Sequence, residues 1–486
     1  MTPSLEKGDS ETAHSNFFQR LTLLLRRWGV ETHGIAPIPR EERLDPRIYQ
    51  LFLLWFSSNL NVTNLVIGAG GPVVFKLSFL NTAINLLVTD ALSCIIPAYF
   101  AIFGPKLGTR AMVQARFSWG VYGAAIPSIL NVLSMMIFIF FNVIIGGQML
   151  AQVFNHLTPA AGIIVIALVS LVVSFCGYRI LHWFEAVAWI PTLIGICVML
   201  GVGGHHLASA PSYLVPSAAS VLSFAATVAA ADVSWCTMTP DYGVYHDAKA
   251  SSLRIFTYTY LGLFLPSLIL HVVGAAFAAA APSVPSWNIG YDQGNNLGGL
   301  VSAVLEPTGR FGQFLVVLMA LSIPGPTAPL MYSFGISLMN VSSVFAKVPR
   351  YVYAIIATGI CIPLALVGQT RFYTVLVTLF DLVGYWSASF SAIVLTEHFV
   401  FRRCDWARYR VEDWNQHGKL PPGLAALLAF FGSSALVVPF MAQTWYVGPV
   451  AKATGDIGLV VGFLTGCILY GLLRPLEIRL LPGRDS

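Results

Sequence analysis

The sequence has few charged residues and no polar stretch long enough to fold as a soluble domain. Only 10% of its 486 residues are Asp, Glu, Lys or Arg, whereas 56% are hydrophobic. A soluble domain contains about 25% charged residues. The charges cluster between apolar runs that approach or exceed the roughly 18 residues a membrane helix needs. Composition therefore excludes a soluble globular protein and predicts an all-α polytopic membrane protein.

Several chemical signals are also missing. The seven cysteines show no CxxC and no paired spacing, so the sequence predicts neither a disulfide framework nor a metal site. There is no HExxH, no recognisable Ser/His/Asp arrangement and no aspartate cluster, and we therefore expect no cofactor and no enzyme. The first 50 residues lack the apolar core of a cleavable signal peptide, so we expect span 1 to act as the signal.

Twelve apolar segments follow one another along the chain. They lie near residues 50–75, 81–103, 119–153, 158–176, 184–203, 217–244, 252–282, 311–341, 351–367, 372–399, 423–444 and 454–473. With both termini in the cytoplasm, every lysine and arginine except Lys76, Arg310, Arg371 and Lys452 falls on the cytoplasmic side. An odd number of spans would destroy this asymmetry. We therefore predict twelve membrane spans, numbered 1 to 12 in chain order.

This count divides the chain into six regions. They are a polar cytoplasmic arm (1–49), a first repeat of spans 1–5 (50–203), a second repeat of spans 6–10 (204–399), a basic cytoplasmic loop (400–422), spans 11–12 (423–474) and a cytoplasmic tail (475–486). The net charge of +5 follows from the topology and does not indicate a nucleic-acid partner. The tract FRRCDWARYR (401–410) indicates a loop beside anionic membrane lipids.

Glycine or proline interrupts two of the spans. Span 1 carries IGAGGP (67–72) and span 6 carries TMTPDYG (237–243). These spans begin the two five-helix halves, and inverted-repeat transporters break their helices at corresponding positions to contact a substrate at mid-membrane. The alternative is a pair of proline-kinked packing helices. We predict that both spans are broken at these motifs.

Many motifs resemble the fungal purine–cytosine permeases of the nucleobase–cation symporter family. They are LWFSSNLNV and GPVVF in span 1, FGPKLG (103–108), NVIIGGQML (142–150), GYRILHWFEAVAWIP (177–191), DYGVY (241–245), FGQF (311–314), EHFVFRR (397–403), DIG (456–458) and LLRPLEIR (472–479). Their order and spacing extend over most of the chain. The resemblance implies a LeuT-like core of five plus five helices in inverted repeat, alternating access, and cation-coupled uptake of nucleobases.

The resemblance also implies a substrate site. In span 3 the family has a tryptophan followed four residues later by an amide, and these positions hold Phe138 and Asn142, on one helix face. Trp235 in span 6 matches the family's second stacking tryptophan. We expect a planar base between Phe138 and Trp235, bound by Asn142, with Asn64 of span 1 as a further contact. The alternative is that these aromatic residues are core or lipid-facing filler.

Span 8 departs from the family pattern. Where the family has an Asn-Asn pair and a later asparagine, SIPGPTAPLMYS (322–333) has Pro326, Thr327 and Leu330. Proline has no side-chain hydrogen-bonding group, which leaves Thr327 as the polar substrate-binding candidate there. Three prolines in six residues also predict an opened helix. The lost amides favour a modified heterocycle as an alternative substrate.

Two carboxyl groups are candidates for a coupling proton. Asp232 precedes Trp235 by three residues and shares its helix face, where it could also accept a hydrogen bond from the substrate. A hydrogen bond to a neighbouring helix is the alternative role. Glu185 matches a family glutamate at the start of span 5, which implies a proton-linked or gating role. Asp90 and Asp381 also lie in or near spans.

Together these features predict a secondary active transporter of the plasma membrane that imports a purine, cytosine or related nucleobase by proton symport. Its expected partners are the small-molecule substrate, the proton and membrane lipids. One alternative is a transporter of the same family for a different heterocyclic metabolite. Another is a transport-inactive sensor that keeps the scaffold.

Overall fold

The computed structural model describes residues 34–154, 156–175, 178–210 and 216–481, and these are mostly helical. The spans run as follows: span 1, Tyr49–Asn59 and Thr63–Val73; span 2, Phe79–Ser93, Ile95–Phe100 and Phe103–Leu107; span 3, Ala125–Val153; span 4, Pro159–Phe175; span 5, Tyr178–Gly203; span 6, Ala218–Ser234; span 7, Ser252–Ala280; span 8, Arg310–Ser322 and Pro324–Val341; span 9, Arg350–Gly368; span 10, Phe372–Thr396 with a π-turn at Glu397–Phe401; span 11, Leu424–Val437; span 12, Gly458–Leu480.

Shorter elements connect the spans. The short α-helices are Ala111–Gln114, Arg116–Gly123, Pro285–Tyr291, Leu297–Leu305, Ser343–Ala346 and Ala451–Thr454. The 3-10 turns are Arg40–Glu42, Gly204–Ser209, Trp235–Thr237, Thr239–Tyr242, Ala281–Ser283, Asp292–Gly294, Glu306–Thr308, Gln369–Arg371, Trp406–Arg408, Val411–Asp413 and Val438–Phe440. Strands β1 (Ala442–Gln443) and β2 (Tyr446–Val447) form an antiparallel hairpin between spans 11 and 12.

The predicted spans correspond to helices in the structure. Eight of the described helical stretches are long and apolar enough to cross a membrane, and the bent pair in span 1 makes a ninth. One of the eight, Arg350–Phe401, has 52 residues and contains both span 9 and span 10. Spans 4 and 11 are shorter apolar helices. The described helices cover all twelve predicted segments, which confirms an all-α, multi-pass membrane fold.

The first ten spans form two halves with matching packing. Span 1 packs on spans 7 and 5. In the second half, span 6 packs in the same way on spans 2 and 10. The contacts of span 3 with span 4 are likewise repeated by span 8 with span 9. This set of packing contacts is unchanged when spans 1 to 5 are exchanged with spans 6 to 10 in the same order. Because each half has an odd number of spans, the halves have opposite orientations, as an inverted repeat requires.

Span 1 is broken, but not where the glycines predict. Its halves meet at residues 60–62 with a bend of 54°, whereas IGAGGP lies inside the continuous helix Thr63–Val73. The break lies among asparagines whose side chains bond to the backbone. Asn61 donates to Ser58 O at 2.5 Å and accepts from Thr63 N at 2.8 Å, and Asn64 donates to Asn59 O at 2.6 Å. Such local bonds compete with the helix ladder, and the prediction of a break at 67–72 was wrong.

The glycines of that motif allow close helix packing instead. A Cβ added to Gly68 would lie 1.7 Å from the carbonyl oxygen of His271 in span 7. One added to Gly71 would lie 2.4 Å from a methyl group of Thr82 in span 2. Small residues let membrane helices approach until their backbones touch. The glycines of IGAGGP therefore allow span 1 to pack closely against spans 2 and 7.

Span 6 breaks where its sequence predicts. The α-helix ends at Ser234, and the chain continues through the 3-10 turns Trp235–Thr237 and Thr239–Tyr242. Met238 between the turns has φ −138°, outside the helical range. Pro240 has no N–H to continue the α-helical ladder. The broken segments of spans 1 and 6 place irregular backbone within the helical core.

Span 8 is interrupted but not opened, contrary to the expectation from its three prolines. Helix Pro324–Val341 begins directly after helix Arg310–Ser322. Pro324 and Pro326 fall in the first turn, where a backbone N–H has no intrahelical acceptor. The hydroxyl of Thr327 donates to Ile323 O at 2.8 Å across the junction. Pro324 and Pro326 are therefore compatible with a restarted helix, whereas Pro329 lies inside it.

Candidate functional site

A cavity lies where the broken part of span 1 meets spans 3, 6, 8 and 10. It is lined by Ser58, Asn59, Asn61, Thr63, Asn64, Ile67, Phe138, Asn142, Ala231, Asp232, Trp235, Pro326, Leu330 and Phe380. Five of the six predicted substrate-binding residues are in this lining. The sixth, Thr327, is fully buried behind Asn142. Residues that are far apart in sequence therefore meet at one place.

The predicted stacking pair forms two walls of the cavity. The rings of Phe138 and Trp235 are nearly parallel, with an interplanar angle of 17° and centroids 6.2 Å apart. Phe380 packs against Phe138 with centroids 5.2 Å apart, and Trp55 meets Trp235 edge-on at 5.5 Å. These supporting rings restrict both walls. Sequence reasoning missed Phe380 and Trp55, because aromatic residues are common in membrane helices and neither has a distinguishing neighbour.

The space between the walls is small in this conformation. The cavity holds about 40 Å³ of water-accessible volume, room for about three water molecules at 10–15 Å³ each. A flat ring between two others needs a separation of about 7 Å, because each stacking contact takes about 3.5 Å. The observed 6.2 Å is slightly shorter. Because the distance between ring centres is an upper limit for the distance between the ring planes, a heterocycle would fit after an opening of at least about 1 Å.

Asn142 is held by hydroxyl groups from two other spans. Its Oδ1 accepts from Thr63 Oγ1 at 2.8 Å, and its Nδ2 donates to Thr327 Oγ1 at 3.1 Å. An amide has a second N–H and a second oxygen lone pair beyond those two bonds. Thr327 thus fixes the orientation of Asn142 from behind. Asn142 keeps one donor and one acceptor for a base edge.

Polar side chains of the span 1 break also line the cavity. Asn64 lines the cavity while it donates to the backbone of Asn59, and Asn59 Nδ2 donates to Trp55 O at 2.9 Å. Asn59, Asn61 and Thr63 were not among the predicted residues. Their signal was present in the run SSNLNVTN, since asparagines that cluster inside an apolar span must find hydrogen-bond partners. These side chains offer amide and hydroxyl groups to a polar ligand.

Asp232 connects the cavity to a buried polar cluster. It accepts from Ser93 Oγ at 2.5 Å, and its carboxyl group lies within hydrogen-bonding reach of Asp90. Asp90 in turn contacts His271 Nδ1 at 3.0 Å. All three ionisable side chains are at most 3% exposed. Sequence reasoning named both aspartates but missed His271, whose partner lies 181 residues earlier in the chain.

Asp381, another carboxyl group named from the sequence, lies in a separate hydrogen-bonding network. Asp381 accepts from Thr227 Oγ1 at 2.8 Å and from Gln443 Nε2 at 3.3 Å. Gln443 leads on to Tyr385, whose hydroxyl donates to Asp456. This network ties spans 6 and 10 to the β1–β2 hairpin. The side chain of Glu185 lies outside the described residues.

Metal ligands are not grouped in the described part of the chain. Within it no set of three or more His, Cys, Asp or Glu side chains could hold a metal ion. The cavity lining instead combines aromatic rings, amides, hydroxyls and one carboxyl group. Flat apolar walls with a few polar groups are suited to a planar, hydrogen-bonding organic molecule.

Comparisons with known proteins agree with this architecture. Residues 37–462 match the family described as permease for cytosine/purines, uracil, thiamine, allantoin. The chain is 34% identical to the purine–cytosine permease FcyB of Emericella nidulans over 97% of this chain and 94% of that one. It is 33% identical to the purine–cytosine permease FCY21 of Saccharomyces cerevisiae over 92% of this chain and 87% of that one.

A solved structure shares the fold. Mhp1, a nucleobase-cation-symport-1 family transporter in a closed conformation with bromovinylhydantoin bound, superposes with a TM-score of 0.67 at 17% identity. The alignment covers 93% of this chain and 97% of that one. At this identity the likeness concerns the fold alone. Together with the match over most of the sequence, it shows that this chain is a member of the cytosine/purine permease family.

Proposed function

We propose that this protein imports a nucleobase or a closely related planar heterocycle by proton symport with alternating access. The observation that carries the proposal is the cavity between the nearly parallel rings of Phe138 and Trp235, with Asn142 beside them. Membership of a permease family and the 34% identity to a purine–cytosine permease support the substrate class.

The pose follows from the chemistry of the walls. A base would stack between Phe138 and Trp235 with its edge toward Asn142, which offers one donor and one acceptor. Phenylalanine provides a ring face but no N–H, so only Trp235 can add a side-chain hydrogen bond from the stacking pair. Asn64 and the other polar groups of the span 1 break would contact further polar atoms of the base. Asp232 would accept from a substrate N–H or hold the coupling proton, and Glu185 is a second candidate for coupling or gating.

Alternating access requires the cavity walls to separate. The site lies at the break between the halves of spans 1 and 6, where inverted-repeat transporters pivot. The small volume and the 6.2 Å ring separation fit an occluded conformation. Opening by at least about 1 Å at the rings would admit a flat molecule. The polar groups of span 1 would then rearrange around it.

A second candidate substrate is a heterocycle other than a purine or cytosine. Pro326 and Leu330 line the cavity where amides are expected from the family pattern, and Thr327 is occupied by its bonds to Asn142 and Ile323. Span 8 therefore offers an apolar surface to the ligand. The family description also includes thiamine and allantoin, which are not nucleobases. A transport-inactive sensor is a third possibility.

An uptake screen tests the proposal. Cells that express the chain would be offered radiolabelled nucleobases and heterocyclic metabolites, with and without a protonophore. We expect saturable uptake of at least one nucleobase that the protonophore lowers. Uptake of a different heterocycle alone would favour the second candidate, and binding without uptake would favour the sensor. Uptake that is unchanged by a protonophore would contradict proton symport.

We further propose that the protein lies in the plasma membrane with both termini cytoplasmic. The distribution of Lys and Arg supports this orientation. A single cysteine introduced at Gln293 should react with an impermeant reagent outside the cell, and one at Ala407 should not. The native exposed Cys197 and Cys404 must first be replaced by serine. Reversed labelling would contradict the orientation.

A further inference from the structure

Behind the cavity, spans 2, 6 and 7 bring together three ionisable side chains, Asp90, Asp232 and His271, which we call the acidic cluster. His271 Nδ1 lies 3.0 Å and 3.2 Å from the two carboxyl oxygens of Asp90. The carboxyl group of Asp232 is within hydrogen-bonding reach of Asp90 and accepts from Ser93. The exposed fractions are 0% for Asp90, 1% for His271 and 3% for Asp232.

The charges of this cluster do not balance. Two carboxyl groups face one imidazole, so the cluster keeps one excess negative charge even when His271 is protonated and both aspartates are ionised. The other titratable groups that interact with it are Cys94 of span 2 and Tyr260 of span 7, and neither is a cation. Span 1 approaches His271 with Gly68, which has no side chain that could carry a charge. Two carboxyl groups this close repel each other when both are ionised, and a proton bound between them removes that repulsion.

The geometry also provides a place where a proton can be taken up. If His271 Nδ1 carries the hydrogen that bonds to Asp90, then Nε2 is an unprotonated acceptor. His271 Nε2 is buried and has no hydrogen-bond partner among the described residues. A proton bound at Nε2 would turn this acceptor into a donor.

The cluster is coupled to the substrate cavity in two ways. Asp232 itself lines the cavity, three residues before Trp235. Span 1, which supplies the asparagines of the cavity lining, packs with Gly68 directly against the backbone of His271. A change in the protonation of the cluster therefore acts on residues in contact with both the stacking wall and the broken helix.

We propose that Asp90, Asp232 and His271 together form the binding site of the coupling proton, and that Asp232 transmits its occupancy to the substrate. The inference rests on the proton symport proposed above and assigns it to named groups. An O–H bond forms on a carboxylate, or an N–H bond on His271 Nε2, when a proton arrives from water outside. The same bond breaks when the proton leaves to water on the cytoplasmic side.

The test compares two transport modes of the purified full-length chain in lipid vesicles. Accumulation of radiolabelled cytosine driven by an inward pH gradient requires coupling, whereas counterflow exchange without a gradient does not. We expect the ratio of accumulation to counterflow to fall about tenfold in Asp232→Asn, Asp90→Asn and His271→Gln, within the usual range of a lost coupling free energy. Asp381→Asn is the matched control, a buried carboxyl group on span 10 that is held by Thr227 instead. It should keep the wild-type ratio.

The outcomes separate this inference from the proposed function. Wild-type ratios in all three cluster variants would overturn the inference while leaving transport intact. A wild-type chain that does not exchange cytosine would count against the proposed substrate. In that case infrared spectroscopy of the purified protein, which needs no substrate, still decides. We expect a band of a protonated carboxyl group that is lost in Asp232→Asn or Asp90→Asn and shifts in His271→Gln, and a band unchanged in all three variants would overturn the inference.

Discussion

Two buried clusters of charged side chains, about equally hidden from solvent, differ in their charge balance. At the C-terminal ends of spans 10 and 12, Glu397 accepts from Arg402 at 2.9 Å, from Arg474 at 3.3 Å and from Tyr470 at 2.9 Å. Arg474 also donates to Glu477 at 2.9 Å. We call these five residues the ion-pair network. Its two carboxylates face two guanidinium groups, whereas the acidic cluster has two carboxyl groups and one imidazole.

The difference in charge balance predicts a structural role for the ion-pair network and a functional role for the acidic cluster. A balanced network satisfies its charges permanently, and each member is needed to keep the others paired. An unbalanced cluster can satisfy its members only by taking up a proton. The first arrangement fixes the ends of two helices, and the second can exist in two protonation states. We therefore expect mutations in the ion-pair network to change stability and those in the acidic cluster to change coupling.

The largest effect should come from breaking the balanced network. Arg474→Ala leaves Glu397 and Glu477 with less compensation, and removal of one partner of a buried ion pair costs about 3–5 kcal/mol. We expect a large loss of folded protein, measured as surface abundance and as the thermal unfolding midpoint of the purified chain. Arg479→Ala, an exposed residue on the same helix, is the control and should be nearly neutral. Equal stability of Arg474→Ala and Arg479→Ala would contradict the structural role of the ion-pair network.

A smaller effect is expected in the cavity beside the acidic cluster. Asn142→Ala leaves the hydroxyl groups of Thr63 and Thr327 without their shared partner. In the proposed pose it also removes a hydrogen bond to the substrate. A buried group left unsatisfied costs about 1–3 kcal/mol. Uptake affinity should fall about fivefold to a hundredfold, because each 1.4 kcal/mol is a factor of ten. Thr327→Val, which removes only the group that orients Asn142, should lower the affinity less, and the reverse order would contradict the assigned roles.

The smallest change in stability is expected where a charge is removed from the unbalanced cluster. Asp232→Asn takes away a buried carboxyl group that has no Lys or Arg side chain beside it among the described residues, and burying a charged group without a partner is costly. We expect an unfolding midpoint equal to or slightly above that of the wild type. The comparison with Arg474→Ala is direct, since each variant changes one buried ionisable side chain. A loss of stability as large as that of Arg474→Ala would mean that Asp232 is structural.

Sequence reasoning reached the architecture because hydrophobic runs and the distribution of Lys and Arg are set by the membrane itself. The twelve segments, the break in span 6 and the meeting of Phe138, Asn142, Asp232 and Trp235 were all predicted, the site mainly through the resemblance to known permeases. These features depend on residue type and local order. The structure brings the four residues together in the cavity lining.

The features that sequence reasoning missed depend on contacts between distant spans. Glycines mark close packing as readily as unwinding, and only the position of His271 shows that Gly68 serves packing. The true break in span 1 is made by the side chains of Asn61 and Asn64, a hydrogen-bonding pattern that composition does not reveal. The contact of Asp90 with His271 joins spans 2 and 7. A lone histidine in an apolar run does not identify its partner.

The central claim is that a planar heterocycle binds between Phe138 and Trp235, and the affinity of Trp235→Ala tests it most directly. Loss of one stacking face costs about 1–3 kcal/mol, which corresponds to a fall in affinity of about fivefold to a hundredfold. Trp235→Phe should recover most of the affinity, since the ring face remains. Affinity and surface abundance must be measured together, because a tryptophan that only packs the core would lower abundance and leave affinity unchanged. Native affinity in Trp235→Ala would contradict the account.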